Sequence, residues 1–259
     1  MKTVAMAGLI QLSCQILDSM IAKKYVPSSM GYIAVLIGLR KVRKVNMLEE
    51  TMSKLAAVCK ETDQWLETPA LNVYLGALCD AIMLSPSKSS SRDIFNEAFD
   101  LLQPNIAQDR YTIKDGADTC SYNTVLNVAT SPFSKNLTLA TEIIDLMAMN
   151  NIAEDIYTYN LRLRACGNGQ RSIEDKMEIF EQILSHPIVS PDKFTVEQML
   201  LPLAKNGRVG DILELLRDFN LQQQSETSIS NAYSTFLIAL VKVSRSVTII
   251  GKQVNFYYA

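Results

Sequence analysis

Residues that usually carry chemistry are thinly spread in this sequence. His186 is the single histidine and stands beside Pro187; with no Ser or Cys nucleophile motif near it, no triad can be assembled around it. Cys14, Cys59, Cys79, Cys120 and Cys166 fall at no zinc-ligand spacing and include no C-x-x-C pair. Five thiols, an odd number mostly on helical stretches, fit a reducing compartment. Gly167-Asn168-Gly169 lacks the preceding strand of a dinucleotide-binding turn and reads as a turn between helices. The chain is therefore not expected to be an enzyme or to hold a metal or cofactor.

A carboxylate and a carboxamide do recur. Asp118, Asp155 and Asp192 lie 37 residues apart, opening D118-T-C-S-Y122-N123, D155-I-Y-T-Y159-N160 and D192-K-F-T-V196-E197. Self-similarity at a fixed period of roughly 20 to 50 residues is the signature of stacked repeats.

The elements that must carry these residues follow from the apolar pattern. Tyr122, Val125, Leu126 and Ala129 sit at i, i+3, i+4 and i+7, one stripe of an amphipathic helix. A second stripe follows in each copy: Leu139, Ile143, Leu146 and Met147; then Met177, Phe180, Ile183 and Leu184; then Ile212, Leu215, Leu216 and Phe219. Ser131-Pro132, Gly167-Asn168-Gly169 and Asn206-Gly207 punctuate between the stripes. Each copy is helix, turn, helix, turn, and a unit this small hides its apolar face only by stacking on neighbours. The expected fold is all-α, an α-solenoid of stacked helix-turn-helix repeats.

The pattern extends along the chain. Residues 1–28 read as a lone second helix, with Ala5, Leu9, Leu12, Ile16 and Met20 at helical steps, and imply either that a preceding first helix lies upstream or that this helix is a cap. This segment has neither a secretory nor a transit-peptide pattern. Repeats are expected at 29–67, 68–118, 119–155, 156–192 and 193–229, with a partial one at 230–243 carrying Tyr233, Phe236, Leu237 and Leu240. The 68–118 unit is longer than its neighbours, the excess lying in loops at 85–91 and 103–115. Residues 244–259 form an irregular tail, its 247–258 stretch β-branched and aromatic, and depart from the pattern. No apolar run approaches the ~18 residues that span a bilayer.

Tyr122-Asn123-Thr124-Val125-Leu126 opening a first helix, an amphipathic second helix, and the ending Val189-Ser190-Pro191-Asp192 before Lys193-Phe194-Thr195 resemble pentatricopeptide repeats. The related tetratricopeptide repeats have a period nearer ~34 and a Trp/Leu-Gly/Tyr signature that this chain lacks. The resemblance implies a right-handed superhelix that binds single-stranded RNA at one base per repeat. It also implies a mitochondrial or chloroplast location, with roles in RNA processing, stability or translation. The base-reading pairs it implies are Asn123 with Asp155, Asn160 with Asp192 and, across the longer unit, Asn72 with Asp118. An Asn/Asp pair implies uridine and hence a U-rich target: a carboxamide offers a donor and an acceptor, and a carboxylate accepts, also through water. Cys120, Tyr157 and Phe194 take the positions that sandwich bases, and the two rings either stack on a base or pack at the seam between repeats.

Other features weigh the other way. Ile33 with Glu67, and Glu197 with Thr227 or Ile229, make no readable pair. The net charge of −2 and pI near 5.6 lack the basic excess of a strong phosphate binder. Arg40, Lys41, Arg43 and Lys44 form the one dense basic cluster, and Lys205 stands in a comparable loop. Lys41, Arg43 and Lys205 are candidate phosphate contacts, or they complement helix dipoles. A second class stays open: a helical scaffold that holds a protein or peptide on its concave face. Neither DNA nor membrane is an expected partner.

Overall fold

The computed structural model describes residues 9–84, 88–132, 137–168, 173–208, 210–215, 234 and 237. The chain forms two compact units, Met1–Ala153 and Glu154–Ala259. The tail at 244–259, together with Ala5, Leu216, Phe219, Thr227, Ile229, Tyr233, Phe236 and Leu240, lies outside the described residues.

The first unit runs α1 (Ile10–Ala22), α2 (Ser29–Lys41), α3 (Val45–Glu61), α4 (Thr68–Leu84), α5 (Lys88–Asp100), α6 (Pro104–Tyr111), α7 (Thr119–Ala129) and α8 (Leu137–Met149). Here α2 packs beside α4 and α4 beside α7, while α3, α5 and α8 back onto α2, α4 and α7. The fold is thus all-α, built of stacked helix-turn-helix layers. Val35, Leu36 and Leu39 of α2, Leu71, Tyr74 and Leu75 of α4, and Tyr122, Val125, Leu126 and Ala129 of α7 are fully buried. The stripe at i, i+3, i+4 and i+7 works because both neighbours press on that side. The second unit repeats the plan with α9 (Ile156–Asn168), α10 (Ile173–Ser185), α11 (Lys193–Lys205) and a helical segment at 210–215. Tyr159, Leu163, Ile179, Phe180, Ile183, Val196, Met199 and Leu200 belong to its core.

Several helices end alike. Lys24, Arg43, Asp63 and Asn151 adopt φ between 53° and 58°, and Gly207 adopts 68°. The next N–H then returns to the carbonyl five residues back: Tyr25 to Met20, Lys44 to Leu39, Gln64 to Cys59, Ile152 to Met147 and Arg208 to Leu203. These bonds satisfy carbonyls that a helix end leaves free.

The structure corrects five local expectations. Residues 103–115 are not a projecting loop. Pro104 sits in the first turn of α6, where its missing N–H costs nothing. Arg110 reaches Glu49 of α3 at 2.9 Å, and Tyr111 meets Tyr74 edge to face at 5.5 Å. Beyond α6, Ile113 pairs with Leu66: Leu66 N–H donates to Thr112 O (2.9 Å) and Lys114 N–H to Leu66 O (3.0 Å). The insert folds back on the preceding layer because its apolar residues find partners there. Likewise α5 begins at Lys88, within the expected loop.

Leu9, the N-cap of α1, and Leu12 and Ile16 on the helix are exposed while Ser13 and Leu17 are buried. The face toward α2 and α3 lies a quarter turn from the stripe read from the sequence. On α10, Leu184 is exposed, and Lys176 and Ile179 are buried in its stead. Lys176 Nζ donates to Gln198 O of α11 at 3.0 Å, and burial pushes its ammonium down to about 8. Finally, α9 continues through Gly167 and Asn168, where a turn is expected. Lys176 Nζ would stand 3.2 Å from a Cβ at Gly167, so a bare backbone there leaves room for the buried ammonium.

Candidate nucleic-acid interface

Helix starts place the recurring carboxylates. Asp118 is the N-cap of α7: its Oδ1 accepts from Ser121 N–H at 2.9 Å, and its own N–H donates to Ser121 Oγ at 3.1 Å. Asp192 caps α11 through Thr195 in the same way, at 2.8 and 3.1 Å. Asp155 does so at the start of α9 through Thr158, at 2.8 and 3.2 Å. Each reciprocal pair satisfies one orphan amide of the first turn and fixes the carboxylate against the backbone.

One layer back, an asparagine reaches each of two caps. In the first unit, Asn72 Nδ2 donates to Asp118 Oδ1 and Oδ2 at 3.1 and 3.3 Å, and Ser121 Oγ donates to Asn72 Oδ1. In the second, Asn160 Nδ2 donates to Asp192 Oδ1 at 3.0 Å and Thr195 Oγ1 donates to Asn160 Oδ1 at 2.8 Å. Asn160 is 7% exposed and Thr195 is fully buried. A carboxylate can only accept, so the amide must turn its nitrogen toward the aspartate and its oxygen toward the hydroxyl. Asn123 with Asp155 has one member in each unit. Asn123 is buried on α7, and Asp155 is exposed at the start of α9.

The residues at the sandwiching positions face outward. Cys120 is exposed, and the side chains of Tyr157 and Phe194, on the first turns of α9 and α11, are 48% and 63% exposed. A ring packed at a buried seam would be covered; these are open to solvent.

The cations divide. Lys41 and Arg43 are exposed at the end of α2 and Lys205 at the end of α11. Arg40 is engaged: its Nε and Nη2 fork onto Asp80 at 2.8 and 3.3 Å, with the guanidinium lying over Gly76, where any Cβ would collide with it. Arg40, Arg43 and Asp80 rim a groove of about 280 Å³ floored by Ala77, Ala81, Leu84 and Ile94. Glu197, which stands where the other copies have asparagine, lies 3.6 Å from Lys193 one turn earlier. His186 uses Nδ1 to accept from Ile188 and Val189 N–H, closing its own turn. Among the described residues no group of three or more His, Cys, Asp or Glu is placed to hold a metal ion, and no helix is long and apolar enough to cross a membrane.

Ser121, Thr158 and Thr195 are the participants that sequence reasoning missed. Their signal is legible: a hydroxyl three residues after each periodic aspartate, the spacing of a capping box.

No family model matches the chain. Its sequence is 31% identical over 111 residues to the pentatricopeptide repeat-containing protein At2g16880 of Arabidopsis thaliana, a match covering 42% of this chain and 14% of that protein. Among solved structures it is similar to the pentatricopeptide repeat protein PPR10 in complex with an 18-nt psaJ RNA element. That likeness has a TM-score of 0.51 at 13% identity and covers 97% of this chain and 33% of PPR10. A cysteine-substituted form of PPR10 with the same RNA element matches equally well. The chain thus spans about a third of PPR10 and a smaller share of the Arabidopsis relative. In its 37-residue period, its stacked two-helix layers and the 111-residue match, the chain is similar to pentatricopeptide-repeat proteins.

Proposed function

We propose that this chain is a segment of a single-stranded-RNA-binding repeat array. Asn72 with Asp118, Asn123 with Asp155, and Asn160 with Asp192 each face one base and prefer uridine; Cys120, Tyr157 and Phe194 flank the bases. Lys41, Arg43 and Lys205 contribute phosphate contacts. One observation carries the reading: the same three-residue constellation of Asn, capping Asp and hydroxyl recurs in both units, the cap and amide bonds agreeing to about 0.1 Å and the hydroxyl donating to the asparagine Oδ1 in each. Repeated geometry at a repeated sequence position is what a one-base-per-repeat reader requires. The exposed rings of Tyr157 and Phe194 support it, since stacking needs an open face. Glu197, paired locally by Lys193, repels a phosphate chain less than a lone carboxylate would. On the same likeness, the array acts in a mitochondrion or chloroplast, in RNA processing, stability or translation, and as a binder rather than a catalyst.

The test is binding of the purified chain to labelled U-rich, A-rich and C-rich oligomers across a salt series. Preference for U-rich RNA, with affinity falling as salt rises in proportion to the phosphates contacted, supports the reading. Equal affinity for all three oligomers overturns the assignment of uridine.

A second reading has its own observation. The net charge of −2 and the unreadable Ile33 with Glu67 suit a scaffold that holds a protein or peptide. It predicts no RNA binding at low salt, either by this chain or by a longer one with upstream repeats.

A further inference from the structure

We propose that Ser121 and Thr195 are positioning residues that lock the amides of Asn72 and Asn160 in one orientation, so that each reader presents an N–H donor, and not a carbonyl, to its base. The consequence for recognition rests on the RNA reading above; the lock itself is a property of the free protein.

The geometry leaves little choice. Thr195 Oγ1 accepts from Asp192 N–H at 3.1 Å, so the hydroxyl's single proton points away from that backbone. Asp192 Oδ1 already takes Thr195 N–H at 2.8 Å and Asn160 Nδ2 at 3.0 Å. The hydroxyl proton has two acceptors in reach, Asn160 Oδ1 at 2.8 Å and Asp192 Oδ1 at 3.0 Å, and the first is both nearer and free of the two bonds that Asp192 Oδ1 already takes. Rotating the amide by half a turn would set its oxygen about 3 Å from a carboxylate oxygen, losing that hydrogen bond and adding a repulsion, and would leave the hydroxyl proton only the already occupied Asp192 Oδ1. Asn160 is also nearly covered, which strengthens both terms. Ser121 closes the equivalent circuit on Asn72, with Asp118 Oδ1 and Oδ2 both within reach of Nδ2.

With Oδ1 held and one Nδ2 proton given to the aspartate, the second Nδ2 proton is the group left to meet a base. Beside it the carboxylate's Oδ2 is the remaining acceptor in the Asp192 copy. A base carbonyl, such as that of uracil, meets this donor as a partner. An exocyclic amino group, such as that of cytosine, meets it donor to donor. An unlocked asparagine would turn to suit either. The hydroxyl therefore sets the selectivity of the amide without touching RNA.

The experiment compares wild type, Thr195→Val and Thr195→Ser. In the free protein, exchange of the Asn160 side-chain amide protons is followed by NMR. The lock predicts slow exchange in wild type and Thr195→Ser, and exchange roughly tenfold faster in Thr195→Val, the factor expected for one hydrogen bond. Equal protection in Thr195→Val overturns the lock whatever RNA does. With RNA, Thr195→Val is expected to keep overall affinity within about threefold while the preference for U over C at a single nucleotide drops about tenfold, restored by Thr195→Ser. Undiminished discrimination in Thr195→Val overturns the proposal. If wild type binds no RNA, the functional reading falls and amide exchange alone decides the lock. Ser121→Ala and Ser121→Thr, read at Asn72, repeat the test in the first unit should Thr195→Val fail to fold.

Discussion

Asn160 Nδ2 donates to Asp192 Oδ1 at 3.0 Å across 32 residues of sequence, so the two proposed readers of one base are already joined when no base is present. Asn72 and Asp118 are joined across 46 residues in the same way, at 3.1 Å. A base arriving at either pair meets a carboxylate fixed by a helix cap and an amide fixed by that carboxylate. Little side-chain entropy remains to be lost on binding, which is how preorganisation raises affinity.

Because the aspartate caps the helix and, in the proposed function, also reads the base, its two roles can be separated by substitution. Asp192→Asn keeps a side-chain oxygen for Thr195 N–H and is expected to leave the melting temperature nearly unchanged, while U preference at one nucleotide falls. Asp192→Ala loses the cap as well and is expected to cost about 1 kcal/mol of stability. Parallel thermal melts and single-substitution RNA binding on both variants check this; an unchanged melting temperature in Asp192→Ala would show that the side chain does not act as the cap.

Tyr157 and Phe194 are exposed, so replacing either ring is a surface change to the free fold. Tyr157→Ala and Phe194→Ala are expected to alter stability by less than about 0.5 kcal/mol. RNA affinity is expected to fall by roughly 1 to 3 kcal/mol for a base stacked between the rings. Denaturant melts with RNA titrations check it, and unchanged affinity would remove the rings from the interface.

Lys176 gives the second unit a pH dependence of definite sign. Its folded pKa, about 8, lies below the ordinary 10.5 because burial penalises the ammonium. Below about pH 8 both folded and unfolded chains carry the proton, and the burial penalty is fully present. Between about 8 and 10.5 the unfolded chain holds more protons, so stability rises with pH. The difference is on the order of 3 kcal/mol. Lys176→Met is expected to be more stable than wild type at pH 7, with the gap closing as pH approaches 10. Taking the difference between the two proteins cancels tyrosine ionisation, which acts on both.

Left-handed helix ends offer a shared gain in stability at two sites and a different effect on RNA binding. Asp63 and Arg43 both hold positive φ, at 53° and 58°, where glycine is unstrained. Asp63→Gly and Arg43→Gly are each expected to raise stability by roughly 0.5 to 1 kcal/mol. Only Arg43→Gly is expected also to weaken RNA binding and flatten its salt dependence by about one phosphate contact. Thermal melts and a salt series on both variants test the two halves independently.

The sequence by itself determined the 37-residue period, the paired helices and the burial of Tyr122, Val125, Leu126 and Ala129. Those follow from a stripe at i, i+3, i+4 and i+7, which is local and needs only some neighbour to press on it. The positions of the three aspartates were legible for the same reason, since a helix cap lies within three residues of what it caps. Tertiary structure decided the rest. Whether Gln103 to Asp115 projected as a loop or folded into α6 depended on Leu66, Glu49 and Tyr74, all more than 30 residues away. The burial of Lys176 carries no mark in the sequence, because it depends on the backbone of α11 and on the room left by the bare Gly167. The orientation of Asn160 was open in the sequence, because a lone amide is symmetric in shape and only a carboxylate and a hydroxyl brought to its two ends tell oxygen from nitrogen.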